Sequence, residues 1–176
     1  MNWTQWHDKW IHCTKCPIGG WAHRHVLGTG PNDSEILVVG EAPGRTEDVL
    51  GEPFVGRAGR LFNEMLREVG LERSKLFITN LVACRPCEDA NALNRAPSEL
   101  EVQKCSSRLE ELLWLLKPKV ILLVGRQAQQ YGHELLLRVR WVGRVEHLVH
   151  PAALLRQGGR NAPGYAKALK TLVTVK

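Results

Sequence analysis

A chain of 176 residues, 44% apolar and 24% charged, has the means to bury one full core, which excludes a disordered or fibrous protein. Its net charge of +6 favours a polyanionic partner and leaves the fold open. No stretch approaches the roughly 18 consecutive apolar residues of a membrane span, and residues 1–10 lack an apolar leader core, so a soluble, cytoplasmic chain is expected.

Trp3, Trp6 and Trp10 fall on one face of a short helix, a spacing that suits core or cover better than nucleic-acid stacking. Cys13-Thr14-Lys15-Cys16 follows directly. Residues 18–32 are rich in Gly, His and Pro and read as irregular linker. Residues 36–39 form a short apolar run of the kind buried on both faces of a parallel sheet. The glycine-rich stretch 40–59 comes next. Ala58, Leu61, Phe62, Met65, Leu66 and Val69 then keep helical spacing, and Gly70 ends that helix.

Residues 76–82 predict a second strand with Asn80 near its carboxyl end, and a long loop, 83–97, carries Cys84, Arg85 and Cys87. Ser98-Glu99-Leu100-Glu101 is a capping box opening a helix to about residue 116. A third strand at 119–125, a helix at 126–137, a fourth strand at 144–149 and a closing helix at 163–173 complete the chain. Strands alternating with helices predict an α/β fold with a central, mostly parallel four-stranded sheet. Residues 1–176 are expected to form a single domain.

Loops at the carboxyl ends of strands in open α/β sheets are where ligands bind. The stretch from Gly40 to Gly59 lies at such an end, and its glycines let the backbone approach a ligand closely. It carries Glu41, Glu47 and Phe54, enough to grip a flat polar ring by edge and face. It matches neither a P-loop nor a dinucleotide fingerprint.

The five cysteines, an odd number, argue against a disulfide framework and for metal ligation or burial. Spacing leaves two sets of four. One, which spacing by itself favours, pairs Cys13/Cys16 with Cys84/Cys87, a zinc-ribbon pattern. The other replaces Cys87 with Cys105, which lies on the apolar stripe of its helix, where a free cysteine is commonly just buried.

Taken together, Glu41-Ala42-Pro43-Gly44, Glu47-Asp48, Gly51-x-Pro53-Phe54-Val55-Gly56-x-Ala58-Gly59, Thr79-Asn80, Cys84-Arg85-Pro86 and His150-Pro151 resemble the iron–sulfur-containing (family 4) uracil-DNA glycosylases. The likeness runs in order from Cys13 to about Arg156. It implies a three-layer α/β/α domain in which Cys13, Cys16, Cys84 and Cys105 hold a [4Fe-4S] cluster, with the N-terminal segment 1–34 contributing ligands and Cys87 spare. It departs from the family in a longer loop, 88–93 being the extra segment, and in Ala152 following His150-Pro151 where many relatives have serine.

The resemblance also implies roles. His150 donates to the uracil O2 as negative charge moves onto the leaving base. Asn80 pairs with O4 and N3–H, and cytosine, with the reverse pattern, would leave both groups unpaired. Phe54 stacks on the base and Glu47 crowds its C5 edge. Glu41 and Ala42 lie against the base or the attacking water. Leu154 and Leu155 are candidate wedges for the gap left by a flipped base, and Arg156 and Arg160 candidate phosphate contacts. The expected activity is uracil excision from single- or double-stranded DNA by a monomer, initiating base-excision repair. The alternative is a catalytically silent iron–sulfur relative that only binds lesions.

Overall fold

The computed structural model describes residues 1–89 and 92–176. Strands β1 (Ile36–Gly40), β2 (Leu76–Asn80), β3 (Val120–Val124) and β4 (Arg144–Leu148) form one sheet in the order β2-β1-β3-β4. Every pairing is parallel. The two middle strands, ILVVG and VILLV, are buried over four of their five residues, as strands covered on both faces must be.

Alternation along the strands sends side chains to two cores. Val38, Ile78 and Leu122 point to one. There they meet helices α4 (Arg57–Glu68), α7 (Pro151–Arg156) and α8 (Tyr165–Val175) through Phe62, Met65, Leu154 and Leu172. Leu37, Val39, Phe77, Ile121 and Leu123 point to the other. Helices α1 (Trp3–Trp10), α5 (Glu99–Leu116) and α6 (Arg126–Arg138) cover that face. The result is the expected three-layer α/β/α arrangement.

The strand order places the crevice. From β1 the chain crosses to β2 on one side, and from β3 to β4 on the other. The loops leaving β1 and β3 therefore diverge, opening a gap at their carboxyl ends, the usual ligand position in open α/β sheets. Gly40-Glu41 leaves β1 there, and Gly125 leaves β3.

The tryptophan helix is cover, as its spacing predicts. Trp6 and Trp10 are buried, and their indole N–H groups donate to the Arg108 carbonyl at 3.2 Å and to Glu111 Oε2 at 2.6 Å, both on α5. The capping box at Ser98 forms as predicted, with Glu101 N–H donating to the hydroxyl at 3.3 Å and Ser98 N–H to the carboxylate at 2.8 Å.

Three expectations need correction. Residues 18–32 are not wholly irregular, because α2 (Pro17–Trp21) opens them with a proline at its first turn, the position proline favours. The glycine stretch contains a helix, α3 (Arg45–Leu50), capped at its start by the Glu47 carboxylate on the Gly44 N–H and ended by Gly51 in the left-handed region. The fourth strand stops at Leu148, leaving Val149 and His150 as the approach to α7. Of the segment 88–93, residues 90 and 91 lie outside the described residues.

Candidate active site

A cleft of about 1140 Å³ opens at the carboxyl ends of the strands. That slightly exceeds the roughly 300–1,000 Å³ of a small-molecule pocket, and suits a groove that takes one flat ring together with the chain attached to it. Glu41, Ala42, Glu47, Phe54, Asn80 and His150 all line it.

Asn80 ends β2 opposite Gly40 of β1. A Cβ on Gly40 would stand 2.4 Å from Asn80 Oδ1 and 2.7 Å from the Phe54 ring. Only a glycine lets the amide and the ring approach each other there. Asn80 is 2% exposed, and its side-chain amide, which has no protein hydrogen-bond partner among the described residues, lines the cleft. An amide left free at a cleft wall has one donor and one acceptor available to a ligand.

Phe54 holds a left-handed backbone, φ 55°, uncommon for a bulky residue. Gly59 makes room for it, since a Cβ at Gly59 would lie 2.0 Å from the Phe54 carbonyl carbon. The ring packs on Phe62 at 5.1 Å between centroids and lies 6.3 Å from the His150 ring, with a 29° tilt between the latter planes.

His150 caps α7, its Nδ1 accepting the Ala152 N–H at 3.1 Å. That contact leaves the proton of a neutral ring on Nε2, which is then free to donate. Burial holds the imidazole below its usual pKa, the nearby Arg156 cation adds to this, and Glu47 opposes it. His150 is therefore a neutral donor at pH 7.

The Glu47 carboxylate accepts the N–H groups of Gly44 at 3.1 Å, Val55 at 3.0 Å and Gly56 at 2.6 Å. It ties both ends of the α3 loop together and so fixes the approach to Phe54. Sequence reasoning placed Glu47 against the ligand and missed this bracing, although a glutamate three residues after Gly44 is half of a capping box. Glu41 is half-buried, and burial raises its carboxyl pKa. Among the described residues its carboxylate makes no hydrogen bond or ion pair.

Two DNA-contact expectations change. Leu154 is 1% exposed and packs in the core beneath α7, so its side chain is not free to wedge. The neighbouring Leu155 is only partly buried. Arg160 is engaged with Glu64 at 3.2 Å, whereas Arg156 is exposed and lines the cleft. Sequence reasoning missed Arg57, Arg126 and Lys167, exposed cations that also line the cleft and form no ion pair among the described residues. They come from α4, α6 and α8, so no local pattern joins them.

Cys13, Cys16, Cys84 and Cys105 line one small separate cavity with Trp10, Ile18, His25 and Arg108. Cys87 does not; it is buried elsewhere, its Sγ 3.5 Å from the Arg85 carbonyl. Burial pushes the Cys84 thiol up, and Cys105, Cys16 and Cys13 add to that in turn. Among the described residues no three His, Cys, Asp or Glu side chains group as a site for a metal ion.

The open parallel α/β sheet thus carries, at its strand ends, a glycine-walled cleft lined by an unpaired amide and a neutral imidazole. Residues 27–173 match the model of the uracil DNA glycosylase superfamily. The chain is 41% identical to the type-4 uracil-DNA glycosylase of Archaeoglobus fulgidus, over 82% of this chain and 79% of that one. It is 38% identical to the type-4 enzyme of Thermotoga maritima over 82% and 78%, and 35% identical to that of Pyrobaculum aerophilum over 89% and 86%. The chain belongs to the uracil-DNA glycosylase superfamily, in its type-4 branch.

Proposed function

We propose that this protein hydrolyses the N-glycosidic bond of uracil in DNA, leaving an abasic site and initiating base-excision repair. The observation that carries the reading is the Asn80 amide, without a protein partner among the described residues, lining the same cleft as the neutral His150. An amide supplies one donor and one acceptor side by side, the complement of uracil O4 and N3–H. Phe54 covers the base face. Glu47, locked by three backbone N–H groups, is a rigid wall at the C5 edge, and rigidity is what steric rejection of a methyl group needs.

As the N1–C1′ bond breaks, its electron pair stays with the base and charge grows on O2. The Nε2–H of His150 donates to that oxygen, and its hydrogen bond strengthens as the bond breaks. Water then adds to C1′ and gives up a proton. Glu41, with its basicity raised by burial, holds that water and takes the proton. Ala42 beside it leaves space for the ring.

Arg57, Arg126, Arg156 and Lys167 follow the DNA backbone, and Leu155 fills the stack after the base has left. Replacing Arg126 and Lys167 by alanine is expected to weaken binding to every sequence alike. It should lower the slope of log affinity against log salt by about two, measured by fluorescence anisotropy. The protein acts as a cytoplasmic monomer on single- or double-stranded DNA. Among the described residues no helix is long and apolar enough to cross a membrane.

Cys13, Cys16, Cys84 and Cys105 would hold a [4Fe-4S] cluster. The four thiols share one cavity, the donor set that such a cluster takes. The cluster would supply a structural tie, joining residues 1–34 to the Cys84 loop and to α5. Cys105→Ser is expected to lose most of the visible absorption and iron content of the purified protein, and Cys87→Ser to keep both.

The test is release of uracil from a uracil-containing oligonucleotide, followed by alkaline strand scission at the abasic site. Binding without release would make the chain a silent lesion-binding relative instead.

A further inference from the structure

Arg108 of α5 is fully buried, and among the described residues it forms no ion pair. Its Nη1 donates to the Leu27 carbonyl at 3.0 Å and to Thr79 Oγ1 at 3.1 Å. Its Nη2 donates to the Asn80 carbonyl at 2.5 Å and to the Leu81 carbonyl at 3.4 Å. All these acceptors are neutral. A buried cation without a counter-charge is costly, and a buried N–H without an acceptor adds to the cost. Arg108 has both features, for its Nε lacks a partner.

Arg108 also lines the cavity walled by Cys13, Cys16, Cys84 and Cys105. Four thiolates around iron and sulfide are an anionic group, able to supply the missing counter-charge and to accept an N–H. The same planar group thus has two ends. Its Nη end grips the Asn80 backbone, while its Nε is left without a partner on a side chain that lines the cysteine cavity.

We propose that Arg108 is a positioning residue that couples the iron–sulfur site to the uracil-reading amide: its Nη atoms set the carboxyl end of β2 and its Nε–H is completed by the loaded cysteine site. This inference rests on the uracil-excision reading. It gives the cluster's contribution a definite path, from the cavity through one side chain to Asn80.

The test uses anaerobically purified holoprotein and the variant Arg108→Lys, which keeps the charge but cannot fork between the carbonyls. KM for uracil-containing oligonucleotide is expected to rise about ten-fold, with kcat nearly unchanged, because pairing of the base edge is shared by ground and transition states. The cluster's reduction potential should shift with it. A lower melting temperature with unchanged KM and potential would mean a purely structural residue and would overturn the proposal.

A wild-type measurement covers a variant that fails to fold. In nitrogen-15 spectra of the holoprotein, the Arg108 Nε–H should exchange slowly and move when the cluster is reduced. Exchange at the rate of a surface arginine, with no movement, would refute the coupling. A wild-type protein lacking iron or excision activity would instead remove the underlying functional reading, so the two failures are separable.

Discussion

Replacing His150 by alanine is expected to lower kcat/KM on uracil-containing DNA by about two to three orders of magnitude, the usual cost of one preorganised transition-state donor. Binding of the same DNA should change far less, because the charge on O2 exists only as the bond breaks. Activity within a few-fold of wild type would take His150 out of the mechanism. The ring's pKa direction adds a second signature. Burial favours the neutral form, so activity should stay level down to about pH 6.5, the ordinary histidine pKa, and fall only at more acid values. Protonating Nδ1 would set two donors against each other, because the Ala152 N–H already points at that atom.

Stability follows with the same sign. A histidine whose folded pKa is depressed binds fewer protons folded than unfolded as pH drops below the unfolded value. Its neutral-state contribution is complete above about pH 6.5 and declines as pH falls toward the folded pKa. Thermal melting across this range should show wild type losing more stability on acidification than His150→Ala.

Replacing Asn80 by alanine is expected to separate activity from stability. Two hydrogen bonds to the base edge are lost, at roughly 1.5 kcal/mol each, so kcat/KM should fall by about two orders of magnitude, mainly through KM. The fold should be nearly unaffected, because the side-chain amide has no partner among the described residues and its removal strands no internal group. A large drop in melting temperature would mean that the amide serves the fold. Unchanged excision would mean that the base is read elsewhere. Preference for uracil over cytosine should weaken too, since a paired polar edge is the stronger discriminator.

Much of the layout was readable in one dimension because short-range chemistry dominates it. The runs ILVVG and VILLV are apolar at every position except a terminal glycine, which only a doubly covered strand tolerates. Ser98 and Glu101 announce a helix start because their side chains satisfy each other's backbone N–H groups three residues apart. Helix α3 escaped notice because six residues give too little periodicity to detect, and glycines at both ends disguised caps as loop. Leu154 and Leu155 looked interchangeable as wedges. Only their rotation about α7 decides that one side chain enters the core while its neighbour remains partly exposed.

The site divides along the same line. Residue types and their order along the chain carried the family likeness, and with it the amide, the ring, the imidazole and the cysteines. Spacing alone left Cys87 and Cys105 as rivals. In the fold Cys105 on α5 lines one cavity with Cys13, Cys16 and Cys84, while Cys87 lies by the Arg85 carbonyl. The brace from Glu47, the cation rim drawn from three helices and the double reach of Arg108 have no local signature. They exist because parallel strand crossovers bring residues far apart in the chain to one end of the sheet. Periodicity and capping act over a few residues and can be read from the chain, whereas which distant side chains share a cavity depends on the packing of whole helices against the sheet.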